Sequence, residues 1–394
     1  MKKQNKQQKT GAQALVDSLA KAGTEVLFGY PGGQALDIFN CLPEAPFQFI
    51  LGRHEQGCVH MADGYARAKG KPGVCLVTSG PGATNTITGL ATANMDGVPL
   101  VCITGQVPMD QIGTDAFQEA DMNGICRAVT KHSFLVQSAD EVPETVAEAF
   151  YIATHGKPGP VVIDIPKNVQ RGLTSAQYPE RVSLRAYHPE SMASSSQMAR
   201  FAKLVNEAKR PVIYAGGGVI ASGAAKDVAN LAHRAQIPVA TTLMGLGSFD
   251  ENDPLALRLA GMHGSAAANY AINESDLIIA LGVRFSDRVT GKLAAYAKHA
   301  KIIHVDCDPA SIGKNVPVSL GIVADVKDVL TTVNSRIKPA EHADWLAKIA
   351  EWKKKHPVSY KPMHPDVIMP QAVIEAVDKA TKGRAVVVTD VGQH

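Results

Sequence analysis

Short apolar runs recur along the first half of the chain, each bounded by glycine, proline or aspartate. They predict strands at 25–28, 47–51, 74–78, 100–104 and 161–165. Helical stretches separate them, including an Ala/Gly-spaced segment at 54–69 that ends at Lys69-Gly70. Strands that alternate with helices in this way indicate a parallel sheet covered on both faces.

The second half repeats this pattern after a Ser/Ala/Pro-rich stretch. Its predicted strands are 211–215, 239–242, 276–281 and 301–305, and the helix after the triple glycine 216–218 is expected to start near Ser222. A helix at 370–381 and a strand at 384–389 predict the opening of a further unit. The predicted fold is α/β, with two doubly wound parallel-sheet domains plus the start of a third. The expected divisions are 1–10 (polar tail), 11–171, 172–196 (linker), 197–339, 340–369 (connector) and 370–394.

Composition narrows the class of protein. A length of 394 residues suits two or three domains, and 45% apolar with 20% charged residues is typical of a globular chain. The net charge of +3, without a basic stripe, argues against nucleic-acid binding. No apolar run approaches the roughly 20 residues of a membrane span, and the start MKKQNKQQKT lacks the apolar core of a secretory signal. We therefore expect a cytoplasmic protein.

The six cysteines form no CxxC pair, and Cys75, Cys102 and Cys307 lie inside apolar runs. Buried, reduced thiols explain them better than a metal site. His54 and His60 flank Glu55 but are spaced too far apart for an HExxH zinc motif. The chain itself therefore predicts no metal ligands.

Two segments carry candidate chemistry in the first half. Val74–Asn85 places a Gly-Pro-Gly turn after a strand, where open parallel sheets bind ligands. Glu55 opens the helix at 54–69. Taken alone, this glutamate is better explained as a helix-start residue favoured by the helix dipole than as a carboxylate that binds a cofactor.

Several motifs together favour the second explanation. The chain resembles the acetolactate synthase family of thiamine-diphosphate enzymes at GYPGG (29–33), RHEQG (53–57), TSGPGATN (78–85) and GTDAFQE (113–119). Its last residues, TDVGQH (389–394), resemble the start of that family's third domain. The resemblance implies condensation of pyruvate with pyruvate or 2-oxobutanoate, with loss of CO₂, in branched-chain amino-acid biosynthesis.

The resemblance also implies roles for residues of the first unit, which would bind the pyrimidine of thiamine diphosphate. Glu55 would hold a proton at N1′ of the cofactor, which favours the imino form that removes the C2 proton. Gln118 would be a second catalytic residue, binding the reacting intermediate. The implied thiamine-binding residues are Tyr30, Pro31, Gly32, Gly33, Glu55, Thr78, Pro81 and Asn85. The implied substrate-channel residues are Gly33, Gln34, Pro108, Phe117 and Lys167.

In the second unit, GMHG (261–264), GVRFSDRVTG (282–291) and HVDCDP (304–309) resemble the family's FAD-binding segments. The implied FAD residues are Lys157, Gly216, Gly217, Gly218, Thr242, Leu243, Met262, His263, Gly264, Gly282, Arg284, Asp287, Arg288, Val289, Asp306 and Asp325. Three positions depart from the family pattern. Ser286 replaces a usual aspartate, Lys157 replaces an arginine that contacts flavin, and Gln34 stands where many relatives have alanine. Because lysine lacks the planar fork of arginine, we expect weaker FAD binding.

The family holds the diphosphate through Mg²⁺ with a GDG…N motif in its third domain, and this chain has no GDG. The resemblance thus implies thiamine diphosphate, Mg²⁺ and FAD as cofactors, with the Mg²⁺ ligands missing from an incomplete subunit. It implies a homodimer or tetramer, with or without a small regulatory subunit. The alternatives are a non-catalytic FAD-binding or dimerising remnant, and another FAD-containing thiamine enzyme such as pyruvate oxidase. Glu55 argues against glyoxylate carboligase, which lacks that glutamate.

Overall fold

Two six-stranded sheets, in which all neighbouring strands run parallel, organise the structure. The structure is a computed structural model that describes residues 8–189, 191–362, 364 and 366–389. Residues 1–7 of the expected tail, and 390–394 of the TDVGQH segment, lie outside the described residues. The α/β prediction with two doubly wound parallel sheets is confirmed.

The first sheet has the strand order β3-β2-β4-β5-β7-β6. The strands of this half are β1 (Lys9–Thr10), β2 (Val26–Gly29), β3 (Gln48–Leu51), β4 (Gly73–Val77), β5 (Leu100–Gln106), β6 (His132–Leu135), β7 (Pro160–Pro166) and β8 (Leu173–Thr174). Its helices are α1 (Gly11–Lys21), α2 (Leu36–Phe39), α3 (Glu55–Lys69), α4 (Pro81–Thr84), α5 (Ile87–Asp96), α6 (Met122–Cys126), α7 (Val142–Thr154) and α8 (Lys167–Arg171). The short strands β1 and β8 pair antiparallel outside the sheet.

The second sheet has the order β11-β10-β9-β12-β13-β14. Its strands are β9 (Pro211–Ala215), β10 (Val239–Thr241), β11 (Ala256–Leu259), β12 (Leu277–Leu281), β13 (Lys301–Asp306) and β14 (Leu320–Val323). The helices of this half are α9 (Ser195–Glu207), α10 (Gly217–Ala221), α11 (Ala225–Ala235), α12 (Ala266–Glu274), α13 (Asp287–Thr290), α14 (Val326–Val333), α15 (Ala343–Lys355) and α16 (Pro370–Thr381).

Each sheet separates two apolar layers, which explains its uninterrupted apolar strands. In β12, Leu277, Ile279 and Leu281 face one layer, while Ile278 and Ala280 face the other. Because successive side chains point to opposite faces, a strand buried on both sides reads as a continuous apolar run. No helix in the described ranges is both long and apolar enough to cross a membrane.

Three features differ from the sequence-based expectation. The helix after the triple glycine begins at Gly217, not near Ser222, and a break at Gly223 (φ 66°) separates it from α11. The expected strand at 384–389 is wrong: these residues form no strand, and the valines at 386–388 are exposed. A strand needs a neighbour for its backbone hydrogen bonds, and none pairs with this segment within the part of the chain described.

The segment 340–369, expected to be a connector, contains α15, which packs on the second unit. Trp345 and Ile349 of this helix are buried in an apolar layer of the second sheet. The Trp345 indole nitrogen donates to the Pro211 carbonyl at 3.1 Å. The hydrogen bond ties α15 to the first residue of β9.

Candidate active site and interdomain cavity

The direction in which strands are added reverses between β2 and β4 of the first sheet, and such switch points are where parallel sheets bind ligands. The turns after both strands meet there. The Tyr30 amide donates to the Leu76 carbonyl at 3.1 Å, and the Gln34 amide donates to Thr78 Oγ1 at 3.2 Å. A Cβ on Gly32 would lie 2.5 Å from the Thr78 methyl group, so this close contact requires glycine.

Glu55 begins α3 at the edge of this switch point. His54 precedes it as the helix N-cap, and its ring nitrogen accepts from the Gln56 amide at 3.1 Å. One Glu55 carboxylate oxygen, Oε2, accepts from the Asn85 side-chain amide at 2.9 Å. A Cβ on Gly82 would come within 3.3 Å of the other oxygen, so the carboxylate lies directly beside the glycine turn. The structure thus brings Glu55 and Asn85 together.

Gln118 lies in the loop 107–121 between β5 and α6 and covers the same turn. Gly80 has φ 56°, and a Cβ there would approach the Gln118 carbonyl oxygen to 2.5 Å. Gln118 itself has φ 59°, an uncommon conformation for a side-chain-bearing residue. The Glu119 carboxylate accepts from the Gly113 and Ala116 amides, and these donors lower its pKa. Phe117, beside Gln118, is 84% exposed.

Two of the expected channel residues, Pro108 and Lys167, lie at the carboxyl ends of β5 and β7, while Gly33 and Gln34 follow β2. The Lys167 ammonium donates to the Gly33 carbonyl at 2.8 Å. Pro108 follows β5, and the next amide, that of Met109, donates to the Asn168 side chain at 3.0 Å. Gln34 Oε1 is buried without a hydrogen-bond partner in the described part of the chain.

Sequence reasoning missed a buried polar group below this site. Asp164 of β7 is 2% exposed, and burial raises its pKa to about 7. Thr104 and Gln106 donate to its carboxylate at 2.6 and 2.9 Å. A carboxylate in the middle of the apolar run VVIDIP was the signal that could have found it.

The second sheet has its own switch point, between β9 and β12, and its strand order is that of dinucleotide-binding sheets. A Cβ on Gly216 would lie 2.1 Å from the Gly282 carbonyl oxygen, and one on Gly218 would lie 2.7 Å from Gly282 Cα. The two strand ends therefore approach backbone to backbone. The Gly218 amide, in the first turn of α10, donates to the Gly282 carbonyl at 3.3 Å.

A cavity of about 1170 Å³ lies above this switch point, between the two sheets. The first unit contributes Met95 to Gly97 and His155 to Pro158 to its lining. The expected FAD residues that line it are Lys157, Gly217, Gly218, Thr242, Leu243, Met262, His263, Gly282, Arg284, Arg288, Val289, Asp306 and Asp325. Gly216, Gly264 and Asp287 do not line it.

Charged groups at the cavity link the two units. The Arg284 guanidinium donates to the Met95 carbonyl and, at 3.2 Å, to Asp96. Lys157 lies 3.4 Å from Asp308. Arg288 is exposed and pairs with its neighbour Asp287 at 3.2 Å.

Asp306 and the Tyr214 hydroxyl of the cavity lining are buried, and Asp325 is half-buried. Burial raises the pKa of Asp306 to about 6, and it also raises the pKa of Asp325, which caps α14. The Tyr214 hydroxyl has no hydrogen-bond partner within the described ranges. Nor do those ranges hold a group of three or more His, Cys, Asp or Glu placed to bind a metal ion.

Two family descriptions match the chain. Residues 9–125 match the thiamine pyrophosphate enzyme N-terminal TPP binding domain, and residues 198–333 match the central domain of the same enzymes. These ranges contain the two switch points.

Individual relatives are similar across 98% of the chain. The acetolactate synthase large subunit of Haemophilus influenzae is 47% identical, and the chain covers 69% of it. The large subunit of Mycobacterium tuberculosis is 47% identical with 64% of its length covered, and a chloroplastic acetolactate synthase of Brassica napus is 45% identical with 60% covered. The chain thus spans roughly two thirds of the length of these relatives.

Proposed function

Because the chain belongs to the acetolactate synthase family, we propose that it is part of a large subunit that condenses pyruvate with a second 2-oxo acid. The reaction releases CO₂ and forms 2-acetolactate or 2-aceto-2-hydroxybutyrate. The observation that carries the proposal is the Glu55 carboxylate, held by Asn85 beside the glycine turn of the first switch point.

Thiamine diphosphate fits this site by the chemistry of the residues present. When bound, the cofactor supplies the carbon nucleophile and the electron sink of the reaction. Glu55 would hold a proton at N1′ of the aminopyrimidine, with Oε1 free of the bond that Oε2 makes to Asn85. Tyr30 to Gly33 and Thr78 to Pro81 would form the floor, where glycines allow close approach of a flat ring.

The substrate would enter beside Gln118 and Lys167. The Gln118 amide would donate to the carboxylate or developing alkoxide of the 2-oxo acid. The Lys167 ammonium, which donates to the Gly33 carbonyl in this structure, would offset the substrate's negative charge. Gly33, Gln34, Pro108 and Phe117 would line the remaining channel.

FAD fits the interdomain cavity and would serve without net redox change. The cavity volume of about 1170 Å³ and the backbone floor at Gly218 and Gly282 suit a dinucleotide. Arg284 and Arg288 would face the diphosphate or the ribityl chain, and Lys157 would contact the flavin. Asp306 and Asp325 would accept from ribose or ribityl hydroxyls. The Tyr214 hydroxyl, buried without a partner among the described residues, could gain one from the ligand.

The domains and the subunits would be arranged as in the family. Residues 11–171 would be the pyrimidine-binding domain, 197–339 the FAD-binding domain and 370–394 the start of the diphosphate-binding domain. The Mg²⁺ ligands would come from the GDG…N motif that the family carries in that last domain. The working form would be a cytoplasmic homodimer or tetramer, with or without a small regulatory subunit.

The test is acetolactate formation from pyruvate with thiamine diphosphate, Mg²⁺ and FAD. The chain is assayed alone and with the C-terminal part of the Haemophilus influenzae relative supplied as a separate fragment. We expect turnover in the complemented sample and a loss of about 10²–10⁴-fold in Glu55→Gln. The exposed Glu44→Gln is the matched control.

Full activity in Glu55→Gln would overturn the role of Glu55. FAD binding without any acetolactate in the complemented sample would favour the non-catalytic alternative. Acetate and peroxide in place of acetolactate would instead favour a pyruvate oxidase.

A further inference from the structure

A buried polar network lies under the loop 107–121, outside every motif used above. Asp164 Oδ1 accepts from the Thr104 hydroxyl at 2.6 Å, and Oδ2 accepts from Gln106 Nε2 at 2.9 Å. Asp164, Thr104 and Gln106 are at most 3% exposed. Groups this deep are retained only when their hydrogen bonds are made, so each bond constrains its partners.

The side-chain amide of Gln106 is fully used and its orientation is fixed. Gln106 Oε1 accepts from the Val107 amide at 2.9 Å. Nε2 must therefore face the other way, where it donates to both Asp164 and the Ala120 carbonyl, each at 2.9 Å. One side chain thus joins the two ends of the loop, at Val107 and Ala120.

This closure bears directly on Gln118, which lies two residues before Ala120. The Gln118 backbone occupies the space that a Cβ on Gly80 would fill, and Gln118 has a φ of 59°. A residue in a sparsely populated conformation persists only when its neighbours fix it. The Ala120 carbonyl also accepts from the Met122 amide at 2.8 Å, so loss of the Gln106 bond would loosen the loop end next to Gln118 without releasing it.

We propose that Gln106, oriented by Asp164, is a positioning residue that holds Gln118 over the glycine turn at Gly80. The proposal rests on the proposed function in one respect, because it takes Gln118 as the group that binds the substrate. The position of the loop itself is independent of that assignment and can be measured without any cofactor.

The experiment is amide hydrogen exchange on the full chain, comparing Gln106→Met with Thr104→Val. Methionine matches glutamine in length but offers no donor to Ala120 or Asp164. Thr104→Val removes a hydroxyl from the same network without touching the loop. We expect amides at 113–121 to exchange about tenfold faster in Gln106→Met, because loss of one hydrogen bond raises the population of the open loop by about this factor. In Thr104→Val these amides should exchange at the parental rate. Gln106→Asn, too short to reach Ala120, serves as a second variant if methionine impairs folding.

Equal amide exchange rates of the loop in Gln106→Met and Thr104→Val would overturn the positioning role, because both substitutions would then act only through the overall stability of the fold. A second readout uses the complemented enzyme. Gln106→Met should raise KM for the 2-oxo acid more than it lowers kcat. In the double variant with Gln118→Ala, turnover should fall little below that of Gln118→Ala alone. If the loop loosens but Gln118→Ala leaves turnover unchanged, the positioning of the loop stands and the proposed role of Gln118 fails.

Discussion

Asn85 donates its side-chain amide to the Glu55 carboxylate at 2.9 Å, which joins the first turn of α3 to the segment after the glycine turn. The bond fixes the rotamer of a carboxylate that would otherwise move freely at a helix start. The remaining oxygen, Oε1, is then oriented toward the space beside Gly82.

Asn85→Ala should therefore reduce thiamine-dependent turnover while leaving the fold intact. We expect a loss of about tenfold, equivalent to about 1.4 kcal/mol, because a hydrogen bond to a charged group contributes about this much at a half-exposed site. The measurement is the acetolactate rate of the complemented enzyme, with the exposed Asn40→Ala as control. An unchanged rate in Asn85→Ala would show that Glu55 needs no such support.

The contact between Gly80 and Gln118 predicts a specific cost for a side chain at Gly80. Gly80→Ala combines a positive φ of 56° with a clash against the Gln118 backbone, whereas Gly70→Ala has φ 66° and open space. Gly70→Ala, the control, should lose about 1–2 kcal/mol of unfolding free energy, and Gly80→Ala should lose distinctly more. Denaturant melts of both variants measure the difference. Equal losses would mean that the loop yields to the added methyl group.

Asp164 predicts a pH dependence of stability. Its folded pKa of about 7 lies above the ordinary value of 3.8, so the folded protein binds the extra proton between these pH values. The contribution of Asp164 to the free energy of unfolding is therefore greatest below pH 4. Up to about 4 kcal/mol of it is lost as pH rises through 7. Asp164→Asn, which can accept from Gln106 and donate to Thr104, should lose less stability between pH 5 and pH 8.

The control for this prediction is the exposed Asp110→Asn, which should follow the parent protein at every pH. Melting curves at several pH values give the comparison. If Asp164→Asn and the parent lose the same stability over this interval, the Asp164 carboxyl does not titrate there.

Lys157 predicts an effect on flavin binding. Its ammonium lines the interdomain cavity and lies 3.4 Å from Asp308 of the second unit. An arginine could keep this ion pair and offer its planar guanidinium to the flavin, so Lys157→Arg should bind FAD about two- to tenfold more tightly. Flavin fluorescence titration measures it, with exposed Lys292→Arg as control. Unchanged or weaker binding would remove Lys157 from the flavin site.

The local sequence pattern was sufficient where the residues of one segment decide its structure by themselves. The predicted strand 211–215 and the predicted helix 370–381 match β9 and α16 residue for residue. The strand is apolar throughout and bounded by proline and glycine, and the helix opens with proline at its first position. The alternation of such elements was enough to predict two doubly wound sheets.

The local sequence pattern did not predict elements and contacts that depend on residues far apart in the chain. The edge strands β6, β11 and β14 are short, and neighbouring strands rather than apolar runs define them. The first turn of the helix that starts at Gly217 packs against Gly282, far along the chain. In the site, motifs predicted Glu55 and Asn85. The apolar run around Asp164 marks that residue, but no local pattern pairs it with Gln106, 58 positions away.

The glycines at the ends of β9 and β12 leave bare peptide at the base of the interdomain cavity. A floor of backbone atoms offers the same amide groups whatever side chains surround it. A point mutation there cannot change which ligand groups the floor binds without displacing the strands. Evolutionary change in what the cavity accepts must therefore occur in its walls, at residues such as Lys157 and Met244. Those walls come from both units, so selectivity for the ligand and the fit between the two units would change together.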